Sequence, residues 1–359
     1  MFREGEVPEP GTLVELCVDS DVVGWGLADE GMISVRVLGR GQAPADISRV
    51  IVERIRDADA ARWRLMPANT DCWRVVHGPG DGLPGLVVDR YGELAVLRLY
   101  SVAWLAHKPA IVRAIKSLGW ASCLYRRLGV MRVDGQRSGG ECWMGGPVPE
   151  SLVVQEEGMR LLVRPVIGQK TGMFLDQRAH RTLVRGWSAG RMVANLFAYN
   201  GGFSVAAALG GAAHVTTVDV APEAIEDARE NFRLNGLDPS EHNFEVADVF
   251  KWKPRHPVDL MVVDPPSLTR GERSDKAARK AYRSLHERLA PHVTRGGLLA
   301  TASCTARLSL ADWRDAVAEG LHARGEWSWH HVSVEPADHP VALHHREGRY
   351  LKFALLRRR

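Results

Sequence analysis

Paired cysteines are missing from this chain. Its five cysteines, Cys17, Cys72, Cys123, Cys142 and Cys304, are dispersed with no CxxC among them, which argues against a disulfide framework or a structural zinc site. No apolar run is long enough to span a bilayer, and the opening MFREGEVPEPG has no apolar core of the signal-peptide type, so the expected address is the cytoplasm, with no membrane partner. Neither sign of charge dominates: 47 Lys and Arg stand against 43 Asp and Glu, a formal net charge of +4. Contact with nucleic acid must then rely on local patches such as Arg126-Arg127 or Arg357-Arg358-Arg359. Taken singly, each patch reads first as solvated surface or a frayed tail. Repeats and low-complexity tracts are absent too.

What is present suits a soluble globular protein of two or three domains: 359 residues, 45% hydrophobic and 25% charged. From Gly11 to Gly41, short β-rich segments at Leu13–Val18 and Ile33–Leu38 are separated by Gly, Asp and Ser, as in a small barrel. Residues 47–64 read as a helix with Ile47, Ile51, Ile55 and Ala58 on one stripe. Residues 72–100 read as a β meander, followed by a helix at 104–118 and further short strands up to Val166. After Gly168 strands and helices alternate, which implies a parallel sheet covered on both faces. Strands are predicted at 191–197, 214–219, 243–247, 258–263 and 297–303, and helices at 202–210, 222–235, 274–291 and 309–324. Two final β-like runs, Trp327–Val334 and Arg349–Leu356, suggest a terminal hairpin with one antiparallel strand.

In an open α/β sheet, ligands bind at the carboxyl ends of the strands, where strand order reverses. The segment NLFAYNGGFSVAAALGGAAHVTTVDV fits such a site: Asn195 and Phe197 end one strand, Tyr199-Asn200-Gly201-Gly202 leads into a helix, and Asp219-Val220 ends the next strand. The glycines admit close approach of a ligand to the backbone, and a carboxylate at Asp219 suits the two ribose hydroxyls of an adenosine. The dinucleotide pattern GxGxxG, which a pyrophosphate needs, is absent. S-adenosylmethionine, with a sulfonium and an amino acid in place of the pyrophosphate, fits better than NAD. Asp248-Val249, after the third strand, falls where the adenine amino group belongs, although an aspartate starting a loop needs no ligand to explain it.

The runs GQKTGMFLDQRAHR (168–181), NLFAYNGGFS, VDPPS, ASCT and DHPV…EGRYLK, with HGPGDGLPGLVVDRYG (77–92) and ISVRVLGR (33–40), resemble the bacterial 23S rRNA cytosine-C5 methyltransferases over nearly the whole chain. The resemblance implies three domains: a short PUA-like β-barrel over 1–45, a β-rich α+β middle domain over 46–167, and a class I, Rossmann-like methyltransferase domain with the terminal β-hairpin over 168–359. It implies S-adenosylmethionine as cofactor and large-subunit rRNA as partner, and homodimers are common among similar proteins. Lys170, Thr171, Phe174, Asp176 and Arg178 are cast as a lid over the cofactor's methionine end. Three features depart from the family pattern. The His-Pro-Trp opening is missing, Tyr199-Asn200-Gly201-Gly202 replaces Tyr-Thr-Gly-Gly, and Ser267-Leu268 stands where Ala-Phe is usual, which removes an aromatic able to stack on a base.

The two prolines of Asp264-Pro265-Pro266-Ser267 form a stiff turn that presents carbonyl oxygens to a base, and Asp264 can hold a base edge. C5 of cytosine is not itself nucleophilic; addition of a thiolate at C6 makes it so. The resemblance casts Cys304 as that nucleophile and Asp264 as the group on N3. A free thiol is little ionised at neutral pH, and an ionised Asp264 nearby would hinder it further. Either Asp264 is protonated in the complex, or Lys170 or another cation offsets it. Taken without the family match, Cys304 reads as a small buried hydrophobe. The pairs His330-His331 and His344-His345 alternate faces on strands, and no metal site is expected. Methylation of an exocyclic amine, a non-catalytic cofactor- or RNA-binding paralogue, and an NAD oxidoreductase are the competing readings.

Overall fold

The computed structural model describes residues 8–268 and 275–359, and these divide into two compact units. The extreme N-terminus of the expected PUA-like domain and the start of the helix predicted from 274 lie outside the described residues. The first unit comprises residues up to 156 with 163–175 and 337–344. It opens with β1 (Leu13–Val18), β2 (Asp21–Ala28) and β3 (Val35–Arg40), an antiparallel three-stranded sheet in meander order rather than a closed barrel among the described residues. Helix α1 (Ile47–Leu65) follows, its first turn capped by Asp46, whose carboxylate accepts the Ser48 N–H at 2.8 Å. Ile51, Ile55 and Ala58 of the expected stripe are buried.

The predicted meander is β4 (Cys72–His77), β5 (Leu86–Tyr91) and β6 (Leu94–Leu99). It is extended by α2 (Lys108–Ser117), β7 (Cys123–Arg127), the short α3 (Met131–Asp134) and β8 (Gly140–Met144) into a five-stranded sheet of order β4-β5-β6-β7-β8. Pro109 delays α2 past a 3₁₀ turn at Val102–His107, later than the predicted start. The run 77–92 is explained by packing. Asp81 accepts the His77 N–H at 2.6 Å and pairs with the buried Arg62, and Asp89 is wholly buried and paired with Arg74. A Cβ on Gly80 would lie 1.8 Å from the Pro340 carbonyl oxygen, so that position needs glycine.

The Arg126-Arg127 patch is not a surface patch. Arg126 is buried between Asp134 and Glu141, and Arg127 donates to the carbonyls of Pro165 and Gly168. Both guanidinium groups are engaged by internal acceptors that the sequence does not place beside them.

β9 (Leu152–Glu156) lies in the first unit and most of β10 (Met159–Val163) in the second, which holds 157–162, 176–336 and 345–359. The main stretch of the second unit follows β10. It begins with α4 (Arg178–Gly186) and continues as β11 (Met192–Leu196), α5 (Gly202–Leu209), β12 (His214–Asp219), α6 (Pro222–Leu234), β13 (Asn243–Val246), β14 (Val258–Val263), α7 (Asp275–Leu289), β15 (Val293–Ser303), α8 (Leu310–His322), β16 (Trp327–Ser333) and β17 (Lys352–Arg358). The seven strands lie in the order β13-β12-β11-β14-β15-β17-β16. β17 is antiparallel to both neighbours while β11 to β15 run parallel. The expected antiparallel strand is therefore there, but no tight turn joins it to β16, and residues 337–344 of the connection group with the first unit. Arg357 and Arg358 belong to β17, and Arg358 donates to the carbonyls of Ala290, Pro291 and Val293 rather than fraying.

Candidate active site

β11 has β12 on one side and β14 on the other, so strand order reverses at its carboxyl end. That is where a doubly wound sheet opens a crevice. The loop leaving β11 is strained: Phe197 (φ 59°) and Tyr199 (φ 49°) are non-glycine residues in the left-handed region, beside Gly201 (φ 75°). Such backbone costs on the order of 1–3 kcal/mol per residue and persists where surrounding contacts fix it. Here Tyr199 N–H donates to Asp219 Oδ2 at 2.8 Å, and Asn231 donates to the Asn200 carbonyl at 2.7 Å. A Cβ on Gly201 would come within 2.7 Å of the Ala228 Cβ. α6 thus presses the loop into its shape.

Two residues expected at the cofactor have buried side chains with internal hydrogen bonds. Asn195 is buried and donates to Ser204 Oγ (2.9 Å), which also receives the Thr217 hydroxyl (2.8 Å). Asn200 is buried and donates to the Leu162 carbonyl at 3.2 Å. Asn195 thus ties β11 to α5, and Asn200 helps fix the loop. Asp219 sits at the mouth, its second oxygen accepting the Ala221 N–H at 3.0 Å. Val220 beside it is exposed. Asp248 forms a short turn by accepting the Phe250 N–H at 2.9 Å, Val249 is buried, and the Phe250 ring meets Phe197 edge-on at 5.5 Å.

Asp264 and Cys304 follow the carboxyl ends of neighbouring parallel strands, β14 and β15, in which Val263 is in register with Thr301. Both are partly exposed, whereas Pro265 is buried and Pro266 and Ser267 face outward. Asp264 accepts a hydrogen bond from Gln177 Nε2 at 2.9 Å. That contact turns the Gln177 oxygen toward His180 Nδ1 at 2.5 Å, so Nδ1 carries the imidazole proton and Nε2 accepts from the Ser333 hydroxyl at 3.0 Å. Burial pushes the His180 pKa down to about 3, and its ring stacks on Phe353 at 4.0 Å. A neutral, fixed imidazole thus holds the amide that orients Asp264.

Around Cys304, the Thr305 hydroxyl meets Tyr282 (3.2 Å) and Ser267 (3.4 Å), and the Thr305 carbonyl accepts from Lys352 Nζ at 2.7 Å. Burial, with further contributions from the nearby Cys304 and Asp264, raises the Tyr282 hydroxyl to about 12, so it stays protonated. Gln177, His180, Tyr282, Thr305 and Lys352 were not singled out from sequence, although four of them lie within the quoted runs DQRAHR, ASCT and EGRYLK.

The lid residues fall in two groups. Lys170, Thr171 and Phe174 belong to the first unit, and Asp176 and Arg178 to the second. Lys170 (φ 52°) places its ammonium 4.5 Å from the Phe174 ring centre. Thr171 is buried and donates to Asp89 at 2.5 Å, beside the Tyr91 hydroxyl at 2.9 Å. Asp176 accepts the Tyr350 hydroxyl at 2.5 Å, and Arg178 is buried.

A family model for S-adenosylmethionine-dependent methyltransferases matches residues 86–337. A ribosomal RNA large subunit methyltransferase of Deinococcus radiodurans is 37% identical over 298 residues, 80% of this chain and 72% of that protein. Ribosomal RNA large subunit methyltransferase I of Erwinia tasmaniensis is 32% identical over 358 residues, covering 96% and 90%. Among solved structures, a SAM-dependent methyltransferase from Streptococcus mutans shares the fold with a TM-score of 0.83 at 23% identity, covering 96% of this chain and 91% of the other. No helix among the described residues is long and apolar enough to cross a membrane. With its strand order, the strained loop after β11 and the carboxylate ending β12, the chain belongs to the family of S-adenosylmethionine-dependent methyltransferases.

Proposed function

We propose that this protein methylates C5 of a cytosine in large-subunit rRNA, with Cys304 as nucleophile and Asp264 on the base. The observation that carries this reading is the placement of a partly exposed thiol and an oriented carboxylate at adjoining parallel strand ends, near one tyrosine hydroxyl. The names of the relatives supply the RNA class. In the first unit, Lys108, Arg113 and Lys116 surround an open depression next to Trp143, chemistry suited to an RNA backbone. The division into a PUA-like segment (1–45), a middle domain (46–167) and a methyltransferase domain (168–359) belongs to the same reading.

The residues present fit S-adenosylmethionine. Asp219 offers acceptors for ribose hydroxyls, the loop 197–201 offers backbone at close range, and Val220, Asp248 and Val249 line the expected adenine side. The cofactor supplies an electrophilic methyl group when bound. The chain's own work is on the base. The thiolate of Cys304 bonds to C6, and the electron pair of the C5–C6 double bond becomes available at C5. Asp264 holds N3. After C5 has gained its methyl group it loses its proton, the double bond re-forms, and the S–C6 bond breaks to return the thiolate. The segment after Asp264 contains no second cysteine, so the proton leaves to another base.

Incubation with 23S rRNA and methyl-labelled cofactor, followed by nucleoside mass spectrometry, is expected to give 5-methylcytidine. Label in an N-methylated nucleoside instead would overturn the reading. A Gln177→Leu variant removes the donor that orients Asp264 and is expected to lower kcat/KM about tenfold, the scale of one hydrogen bond to a charged group. Steady-state rates on the same RNA check this.

A further inference from the structure

The sequence leaves a difficulty in this chemistry, since a thiol beside a carboxylate resists ionisation. The second unit contains a candidate remedy that the motifs did not advertise. Lys352 begins β17 directly opposite Ser303 in the antiparallel ladder with β15, one residue before Cys304. The residue is 2% exposed. Among the described residues, its ammonium uses two of its three N–H groups, donating to the Thr305 carbonyl at 2.7 Å and the Tyr350 carbonyl at 3.1 Å. The charge is therefore pinned behind the backbone that carries Cys304 and cannot swing into solvent.

We propose that Lys352 is a positioning residue that holds Cys304 as the thiolate, its fixed ammonium offsetting the Asp264 carboxylate. The inference rests on the reading of Cys304 as nucleophile. Charged and titratable groups among the described residues face the pair. Asp264 stands at the end of β14 and Tyr282 on α7, where burial keeps its hydroxyl neutral. Glu335 follows β16 and accepts the Leu351 N–H at 2.8 Å. The hydroxyl of Tyr350 is bound to Asp176. Burial lowers Lys352 to about 8, against the opposing pull of Glu335 and of the Cys304 sulfur. At neutral pH the lysine is still mostly protonated. When Cys304 ionises, its proton goes to solvent and the lysine keeps its own. A buried charge with a cation for neighbour costs far less than one without.

The test is the pH dependence of iodoacetamide alkylation in the full-length protein, read by mass spectrometry on the peptide bearing Cys304. Lys352→Met is expected to raise the labelling midpoint by about one pH unit or more, the usual effect of one nearby opposite charge, and to slow labelling at pH 7 about tenfold. Lys352→Arg, which keeps the charge, restores the wild-type midpoint. Removing the facing anion in Glu335→Gln shifts the midpoint downward. An unchanged midpoint in Lys352→Met overturns the proposal, as does an arginine variant that behaves like methionine. If Lys352→Met fails to fold, an unmoved midpoint in Glu335→Gln overturns it as well. The labelling experiment does not depend on turnover, so an active Cys304→Ala enzyme would refute the nucleophile reading and be recognised separately.

Discussion

Replacing Cys304 with alanine is expected to reduce kcat by about 10⁴-fold or more, roughly 5.4 kcal/mol of transition-state stabilisation, with cofactor affinity nearly unchanged. The size of the effect follows from the substrate. Cytosine C5 has no electron pair to offer until C6 has been attacked, so losing the attacking atom removes the route itself rather than one of several contributions to it. Cys304 is partly exposed and lies beyond the end of β15, so the truncation opens little buried volume and the melting temperature should hardly move. Cys304→Ser is expected to be equally inactive, because a hydroxyl at this site has no means of ionising near neutral pH. Methylation of an exocyclic amine needs no thiol, and that chemistry would leave Cys304→Ala close to wild type. Single-turnover methyl transfer on 23S rRNA separates the two, and an alanine variant retaining more than about a tenth of the wild-type rate excludes the covalent route.

The parallel half of the fold was legible because buried parallel strands are near-continuous apolar runs. HVTTVD and VDLMVV fall within their observed limits. β15 begins four residues earlier than predicted because Arg295-Gly296-Gly297 reads as a turn. Gly296 has φ 78°, and the pairing with β14 shifts register between Val258 and Leu260, so an irregular strand imitates a loop. The last strand was placed too early because Arg349-Tyr350-Leu351 has strand composition yet follows a 3₁₀ turn. In the site, Asp219 was proposed from its position at a strand end, and Asp264 and Cys304 from the resemblance, and all three lie at the carboxyl ends of strands. Their supports were not singled out, since Gln177 reaches Asp264 across 87 residues and Lys352 reaches Thr305 across 47. Thr171 and Asn200, expected at the cofactor, make buried internal hydrogen bonds as well. A polar residue in a motif reads alike whether its hydrogen bonds go to a ligand or into the packing, and only burial separates the cases.

Asp219→Asn is expected to weaken S-adenosylmethionine binding about a hundredfold, near 2.7 kcal/mol, measured by equilibrium dialysis or calorimetry. The carboxylate works in two directions. Inward, its two oxygens accept the Tyr199 and Ala221 N–H groups at 2.8 and 3.0 Å and so hold the strained loop in place. Outward, the remaining lone pairs are what a ribose diol needs, a charge-assisted contact worth about 1.5–3 kcal/mol. Asparagine keeps the shape but turns one oxygen into a donor. That donor must face either a backbone N–H or the ribose, and either arrangement forfeits one set of contacts. Asp248→Asn makes the useful contrast. Its side chain is 45% exposed and its described contacts are a turn N–H and a distant Lys251, so solvent replaces much of what is lost and the effect should be several-fold smaller. If the two variants bind the cofactor equally well, the carboxylate at the end of β12 is not the ribose acceptor and the crevice has been assigned to the wrong side of the loop.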